Sequence, residues 1–160
     1  MFAHLNSIGL YGMDAFEVNV EADISNGLPG FDVVGLPDTA VKESRDRVRS
    51  ALKNCGFTFP MSRITVNLAP ADKRKEGPIY DLPILLAILT ASGQLSCDLS
   101  DCAMIGELSL SGEIHGIRGV LPMAIHAKEL GYHRLFVPAV NAAEGAVVEG
   151  LEVYPVKNEK

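Results

Sequence analysis

Cysteine is scarce, basic residues are outnumbered, and no apolar run is long enough to cross a bilayer. Cys55, Cys97 and Cys102 are odd in number. They include no C-x-x-C pair, and none stands near a histidine at metal-ligand spacing. That excludes a disulfide framework and a zinc site, and predicts reduced thiols in a reducing compartment. The longest apolar stretch, Leu82 to Ala91, is interrupted by Pro83 and Thr90 and is far too short for a membrane span. The opening residues, MFAHLNSIGLYGMDAFEV, lack both the basic start and the continuous apolar centre of a secretory leader. A cytoplasmic protein with no membrane contact is expected. Internal repeats, low-complexity segments and interior linkers are also lacking, so the 160 residues read as one domain with a core of ordinary size.

A net charge of −6 argues against a generally adhesive nucleic-acid binder. The charge is uneven, however. Residues 40–80 carry nine basic and four acidic side chains, so this segment is net +5 and the remainder −11. A phosphate loop is missing as well. VVGLPDTAVKES has a glycine, a coming helix and a Lys-x-Ser. It lacks the glycine before Lys42 that would let backbone N–H groups wrap phosphates, and Pro37 removes a donor. Nucleotide binding by this segment is not expected.

What is present alternates between strand and helix patterns. AFEVNVEADI (15–24) puts Phe16, Val18, Val20, Ala22 and Ile24 on one face, and SRITVNLAP does the same with Ile64, Val66 and Leu68. FDVVGL, RLFVP and LEVYPV read as further strands. CAMIGELSLSGEIHGI reads as two strands turning at Ser111-Gly112. A helix is predicted after Asp38, its side-chain cap, and ends at Gly56; its apolar arc is Ala40, Val41, Val48, Ala51, Leu52 and Cys55. Helices are also expected over 82–92, capped by Asp81, and over VLPMAIHAKEL, closed by Gly131. Asn141 is expected to cap a short turn with Glu144 three residues on. These elements give an α+β fold, a mixed α/β sandwich.

Lys42, Arg45, Arg49 and Lys53 recur at helical spacing along one side of the first helix. With Lys73, Arg74 and Lys75 they form a candidate surface for nucleic-acid phosphates or an acidic protein partner; the same spacing also fits an ordinary solvated face. His4, His115, His126 and His133 are scattered, and no Ser-His-Asp order is evident.

Two long stretches carry a more specific signal. SNGLPGFDVVGLPDTAVKESRDRVRSAL with ITVNLAPADKRKEGPIYDLPILLAIL, and then GELSLSGEIHGIRGVLPMAIHAKELGYHRLFVPAV, resemble the N-terminal domain of magnesium-chelatase-like AAA+ ATPases of the ComM (YifB) competence-protein type. The resemblance covers nearly the whole chain. It implies a Lon-protease-domain-like fold, as in the second domain of a small-subunit ribosomal protein. It also implies that an ATPase module, absent from this chain, holds ATP and magnesium. The parent would be a hexameric ring whose neighbouring subunits and DNA are the partners, remodelling DNA by branch migration or helicase-like action in natural transformation and recombination.

Lon-type proteases place a serine nucleophile after Lys-Asp/Glu-Gly-Pro and use a lysine base at a later helix start. On this chain Lys75-Glu76-Gly77-Pro78 match that loop, Ile79 stands at the nucleophile position, and Leu121 stands where the base would be. Neither can do the chemistry. The resemblance therefore implies a non-catalytic domain with no bound cofactor. The two alternatives are a Lon-like serine peptidase, opposed by Ile79 and Leu121, and a metal-chelatase subunit, for which no ligand cluster speaks.

Overall fold

The computed structural model describes residues 1–11 and 14–156. Its strands are β1 (Phe2–Tyr11), β2 (Asp14–Ser25), β3 (Gly30–Val34), β4 (Arg63–Ala69), β5 (Cys102–Met104), β6 (Glu107–Leu108), β7 (Ile114–His115), β8 (Arg134–Pro138) and β9 (Glu152–Val156). Its helices are α1 (Thr39–Lys42), α2 (Ser44–Asn54), α3 (Asp81–Ala91), α4 (Val120–Glu129) and α5 (Ala142–Gly145). Seven strands form one sheet in the order β3-β4-β2-β1-β5-β8-β9. The β2 strand is antiparallel to both of its neighbours, and the remaining pairs are parallel. The mixed α/β class expected from the sequence is what the chain adopts.

Period-two alternation sets the sheet faces. Phe16, Val18, Val20, Ala22 and Ile24 of β2 and Ile64, Val66 and Leu68 of β4 are all buried against α2 and α3. The residues between them stay largely half-exposed, because α4 covers the opposite face over β1, β5 and β8 and only part of β2; there Ile8, Ala103, Ile105, Leu135 and Val137 pack on Val120, Met123, Ala124 and Ala127, with Ala15 against them. The α3 helix is buried nearly all round, as its almost unbroken apolar sequence requires.

The β1 strand lies at the centre of the sheet, and no periodicity announced it. It is buried on both faces from Leu5 to Gly9, and two of those residues are polar or hydroxylic in neighbouring positions, Asn6 and Ser7. Their side chains are satisfied across the sheet: Asn6 Nδ2 donates to the Cys102 carbonyl at 3.2 Å and Ser7 Oγ to that of Met104 at 2.8 Å. The predicted pair of strands around Ser111-Gly112 resolves into three. The β5 strand joins the main sheet, and β6 and β7 form the hairpin, closed by Gly112 N–H donating to the Ser109 carbonyl.

The predicted long helix is interrupted at Glu43, giving α1 and α2. Asp38 caps it as expected, accepting from Val41 N at 2.8 Å. Asp81 does not cap α3. It is fully buried as the first helical residue, and it accepts Arg47 Nε at 2.5 Å, Arg47 Nη2 at 3.0 Å, Leu108 N at 3.0 Å and the Ser44 hydroxyl. Arg47 Nη2 also donates to the Ala40 carbonyl at 2.8 Å. One carboxylate therefore joins α1, α2, α3 and β6. Burial pushes the Asp81 carboxyl up, against the pull of the Arg47, Ser44 and Leu108 donors. For Arg47, burial opposes the charge but Asp81 outweighs it, and the net shift is upward. Asn141 likewise caps nothing; its amide pairs with both the N–H and the carbonyl of Ile117 at 2.9 Å. Among the described residues there is no disulfide, and Cys102 is fully buried.

Removing one partner of a buried, bidentate pair strands the other charge, whereas replacing both with apolar groups does not. Arg47→Met is expected to cost about 3–5 kcal/mol in urea unfolding, and the double variant Arg47→Met/Asp81→Leu to recover most of that loss. A single variant as stable as the parent would mean that the pair does not organise the helices.

Candidate functional site

Two places hold the residues singled out from the sequence. The first is a cleft of about 550 Å³ lined by Leu10, Asp38, Glu76, Gly77, Pro78, Ile79, Glu107, Gly116, Ile117 and Arg118. The loop that enters it is held by backbone pairing. Lys75 N donates to the Leu36 carbonyl and Asp38 N to the Lys75 carbonyl, both at 2.9 Å, and Gly77 N donates to Asp38 Oδ2 at 3.1 Å. Gly77, at φ 80°, adopts a left-handed conformation that favours glycine and starts a 3₁₀ turn over Pro78–Tyr80 leading into α3. Ile79 sits in that turn and touches both halves of the hydrophobic core. Leu10 lines the cleft beside it and fills the space that a side chain at Gly119, the cap of α4, would occupy. Leu121 does not line the cleft. It lies in the first turn of α4, where its N–H donates to Glu144 Oε2 at 2.8 Å. The cleft wall before that helix is Gly116-Ile117-Arg118.

The Tyr80 hydroxyl is the nearest to this turn. It is fully buried, with no hydrogen-bond partner among the described residues. Burial, followed by the carboxylates of Asp38 and Glu76, pushes its ionisation far up, so it stays protonated and is no nucleophile. A side chain at Gly9 would collide with it. Among the described residues no group of three or more His, Cys, Asp or Glu side chains is placed to hold a metal ion.

Lys75 departs from the expected surface. Its side chain is fully buried, its ammonium donates to the Pro70 carbonyl, and burial pushes its ionisation down. It belongs to the loop staple and is unavailable to a partner. Lys73 and Arg74 are exposed, but they line a separate cavity with Tyr11, Asp14, Ala15 and Phe16, where Lys73 Nζ lies 5.0 Å from the Phe16 ring centre. That cavity shares no lining residue with the grooves along α2.

The second place is the outer edge of α1 and α2, beside edge strand β3. Lys42 and Arg45 line a groove with Asp32, Val33, Val34, Arg63 and Thr65. Arg45 Nε donates to the Lys42 carbonyl at 3.1 Å, which fixes its stem. Arg49 and Lys53 line the next groove, with Pro29, Gly30, Phe59, Pro60, Met61 and Ser62. Lys42, Arg45 and Lys53 are exposed, and Arg49 is half-buried over the Phe59 ring, 5.2 Å from its centre. The nearest acids are at the margins: Asp46 Oδ1 is 4.0 Å from Arg49, and Asp32 pairs with Arg63 at 2.7 Å. Arg47, in the middle of the run, is turned inward to Asp81. Its place in the sequence signals this, since Ser44, Arg47, Val48, Ala51 and Leu52 share the buried phase of the helix.

A family model described as subunit ChlI of Mg-chelatase matches residues 20–141. The chain belongs to that magnesium-chelatase-like family. It is 47% identical over 144 residues to the competence protein ComM of Haemophilus influenzae, covering 89% of this chain and 28% of ComM. It is 49% identical over 138 residues to the uncharacterized protein YifB of Salmonella typhimurium, covering 86% of this chain and 27% of that protein. An uncharacterized protein of Mycobacterium tuberculosis is 44% identical over 152 residues, covering 94% of this chain and 30% of its own length. The chain thus spans less than a third of these relatives. At a lower level it is 26% identical over 145 residues to the Lon protease of Leptospira interrogans, covering 86% of this chain and 17% of Lon, in keeping with the Lon-type fold. Membership in the ComM and YifB branch, an AAA+ type of the family, is what the sequence motifs implied.

Two outcomes follow from the cleft. Tyr80→Phe removes an unpaired buried hydroxyl and is expected to leave stability unchanged or raise it by about 1 kcal/mol or more in denaturant unfolding; a clear loss would mean that the hydroxyl has a partner. Ile79→Ser restores a hydroxyl at the nucleophile position but no base. It is expected to give no turnover of a fluorogenic peptide, and serine-dependent turnover would show that a base is present after all.

Proposed function

We propose that this chain is a non-catalytic contact domain of a magnesium-chelatase-like AAA+ ATPase that remodels DNA, working in the cytoplasm in natural transformation and recombination. ATP and magnesium are assigned to a module outside this chain, and the neighbouring subunits of a ring, with DNA, are its partners. What carries the reading is the combination of a helix-start loop whose nucleophile position holds Ile79 and a separate cationic helix edge of Lys42, Arg45, Arg49 and Lys53. The similarity to a protein named for competence supports the process.

An acidic chain with its basic residues concentrated between positions 40 and 80 restricts how DNA approaches, because the remainder of the chain, net −11, repels phosphates. Lysine and arginine at helical spacing supply charge without base-edge geometry, so the contact is independent of sequence. Lys73 and Arg74 form a separate cationic spot near the β1–β2 end and are assigned to a neighbouring subunit or to DNA passing it.

The test is a salt titration of DNA binding. Affinity is expected to fall steeply with salt, and Lys42→Glu/Arg45→Glu to weaken binding and lower the logarithmic salt slope by about two. Binding that ignores both salt and the double variant would leave this edge as a solvated face or a subunit interface.

A further inference from the structure

The groove at Arg49 is built differently from its neighbour at Lys42 and Arg45. The latter is lined by the strand residues Asp32, Val33, Val34, Arg63 and Thr65, a carboxylate among them. The Arg49 groove, about 220 Å³, is lined by two cations and no carboxylate, with Asp46 outside the lining 4.0 Å from Arg49, and the rest of its lining is Pro29, Gly30, Phe59, Pro60, Met61 and Ser62. Two large apolar side chains stand in solvent on the loops that flank it, Leu28 at 85% and Met61 at 80% exposure. The Arg49 guanidinium carbon lies 5.2 Å from the centre of the Phe59 ring, and Phe31 packs on that ring with its centre 5.8 Å away, tilted by 35°. Phe31 is buried in β3, so the platform is anchored to the sheet and needs little ordering when something stacks on it.

A solvated lysine face needs none of this, and phosphate contact alone uses neither the exposed apolar lips nor the guanidinium–aromatic contact. The chemistry that uses all three is a flat, apolar-faced, negatively tethered group. A nucleobase on a sugar–phosphate strand is such a group. In a duplex the bases face each other and cannot enter a groove beside a helix; in a single strand they can turn out and stack on aromatic or guanidinium planes. From Arg45 to Lys53 the α2 edge extends about 12 Å at the rise of an α-helix, with Lys42 beyond it at the end of α1, a few nucleotides of backbone.

We propose that the Arg49–Phe59 groove receives an unpaired base of single-stranded DNA whose phosphates run along Lys42, Arg45 and Lys53, so that this domain prefers single-stranded to duplex DNA. The proposal rests on the DNA-contact reading above and adds the class of DNA and the place of one base. Phe59 is a positioning residue, since it orients the guanidinium on which the base would lie.

The test compares three fluorescent ligands at low ionic strength by anisotropy: a strand of about twelve thymidines, an abasic strand of the same length and charge, and the corresponding duplex. The thymidine strand is expected to bind this chain about five-fold or more tighter than the abasic one, as stacking of one base gives. Arg49→Lys keeps the charge but loses the plane, and it is expected to bring the thymidine strand down to the abasic affinity while leaving the abasic strand unchanged. Met61→Ser, at an exposed lip where folding is not at stake, should reduce the same preference. Equal binding of thymidine and abasic strands, or a preference that Arg49→Lys leaves intact, overturns the proposal while salt-dependent binding of both keeps the phosphate reading. Binding of neither strand overturns both. An acidic peptide of equal charge that binds as tightly as the thymidine strand overturns the assignment of the groove to a base.

Discussion

The buried Arg47–Asp81 pair is the constraint on which the rest of the architecture depends. A carboxylate with no solvent exposure is tolerable only when donors surround it, and here they come from Ser44 and Arg47 on α2 and from the backbone of Leu108 on β6, with Arg47 also bound to Ala40 on α1. Loss of any donor leaves the charge exposed to a low-dielectric surround, so the four elements move as one. That rigidity is passed to the surface. With Arg47 drawn inward, the α2 phase is fixed, and Arg45, Arg49 and Lys53 are left on the outer edge.

The cleft at the start of α3 illustrates the independence of backbone architecture and side-chain chemistry. The loop staple through Lys75, the left-handed Gly77 and the 3₁₀ turn into α3 would serve a nucleophile well. Ile79 uses the same position to fill the junction between two core clusters. Lys75 and Tyr80 have likewise become internal: one ammonium satisfied by a carbonyl, one hydroxyl kept protonated by burial and by nearby carboxylates. The relatives that this chain matches are far longer than it is.

Much of the fold was legible in the chain because half-buried strands must alternate and solvated helices must be amphipathic. The β2 and β4 strands, the Asp38 cap and the glycine stop at Gly56 all followed from local rules. The misses share one cause. Asn6 and Ser7 break the strand pattern of β1, and Asp81, Asn141 and Lys75 look like a cap, a cap and a surface cation, because nothing local shows that a polar group has a distant partner. Arg47 alone left a trace, in its phase beside Ser44 and Val48.

The sequence by itself determined the alternating elements, the family and the concentration of positive charge between residues 40 and 80. These depend on residue type and spacing, which are local. Tertiary structure decided which of those charges face outward and together. It buried Lys75, turned Arg47 inward to Asp81, sent Lys73 and Arg74 to another cavity, and set Arg49 near Phe59 between two loops that carry exposed apolar side chains. A charge is written in the chain, but its exposure and its neighbours are set by contacts between residues far apart in sequence.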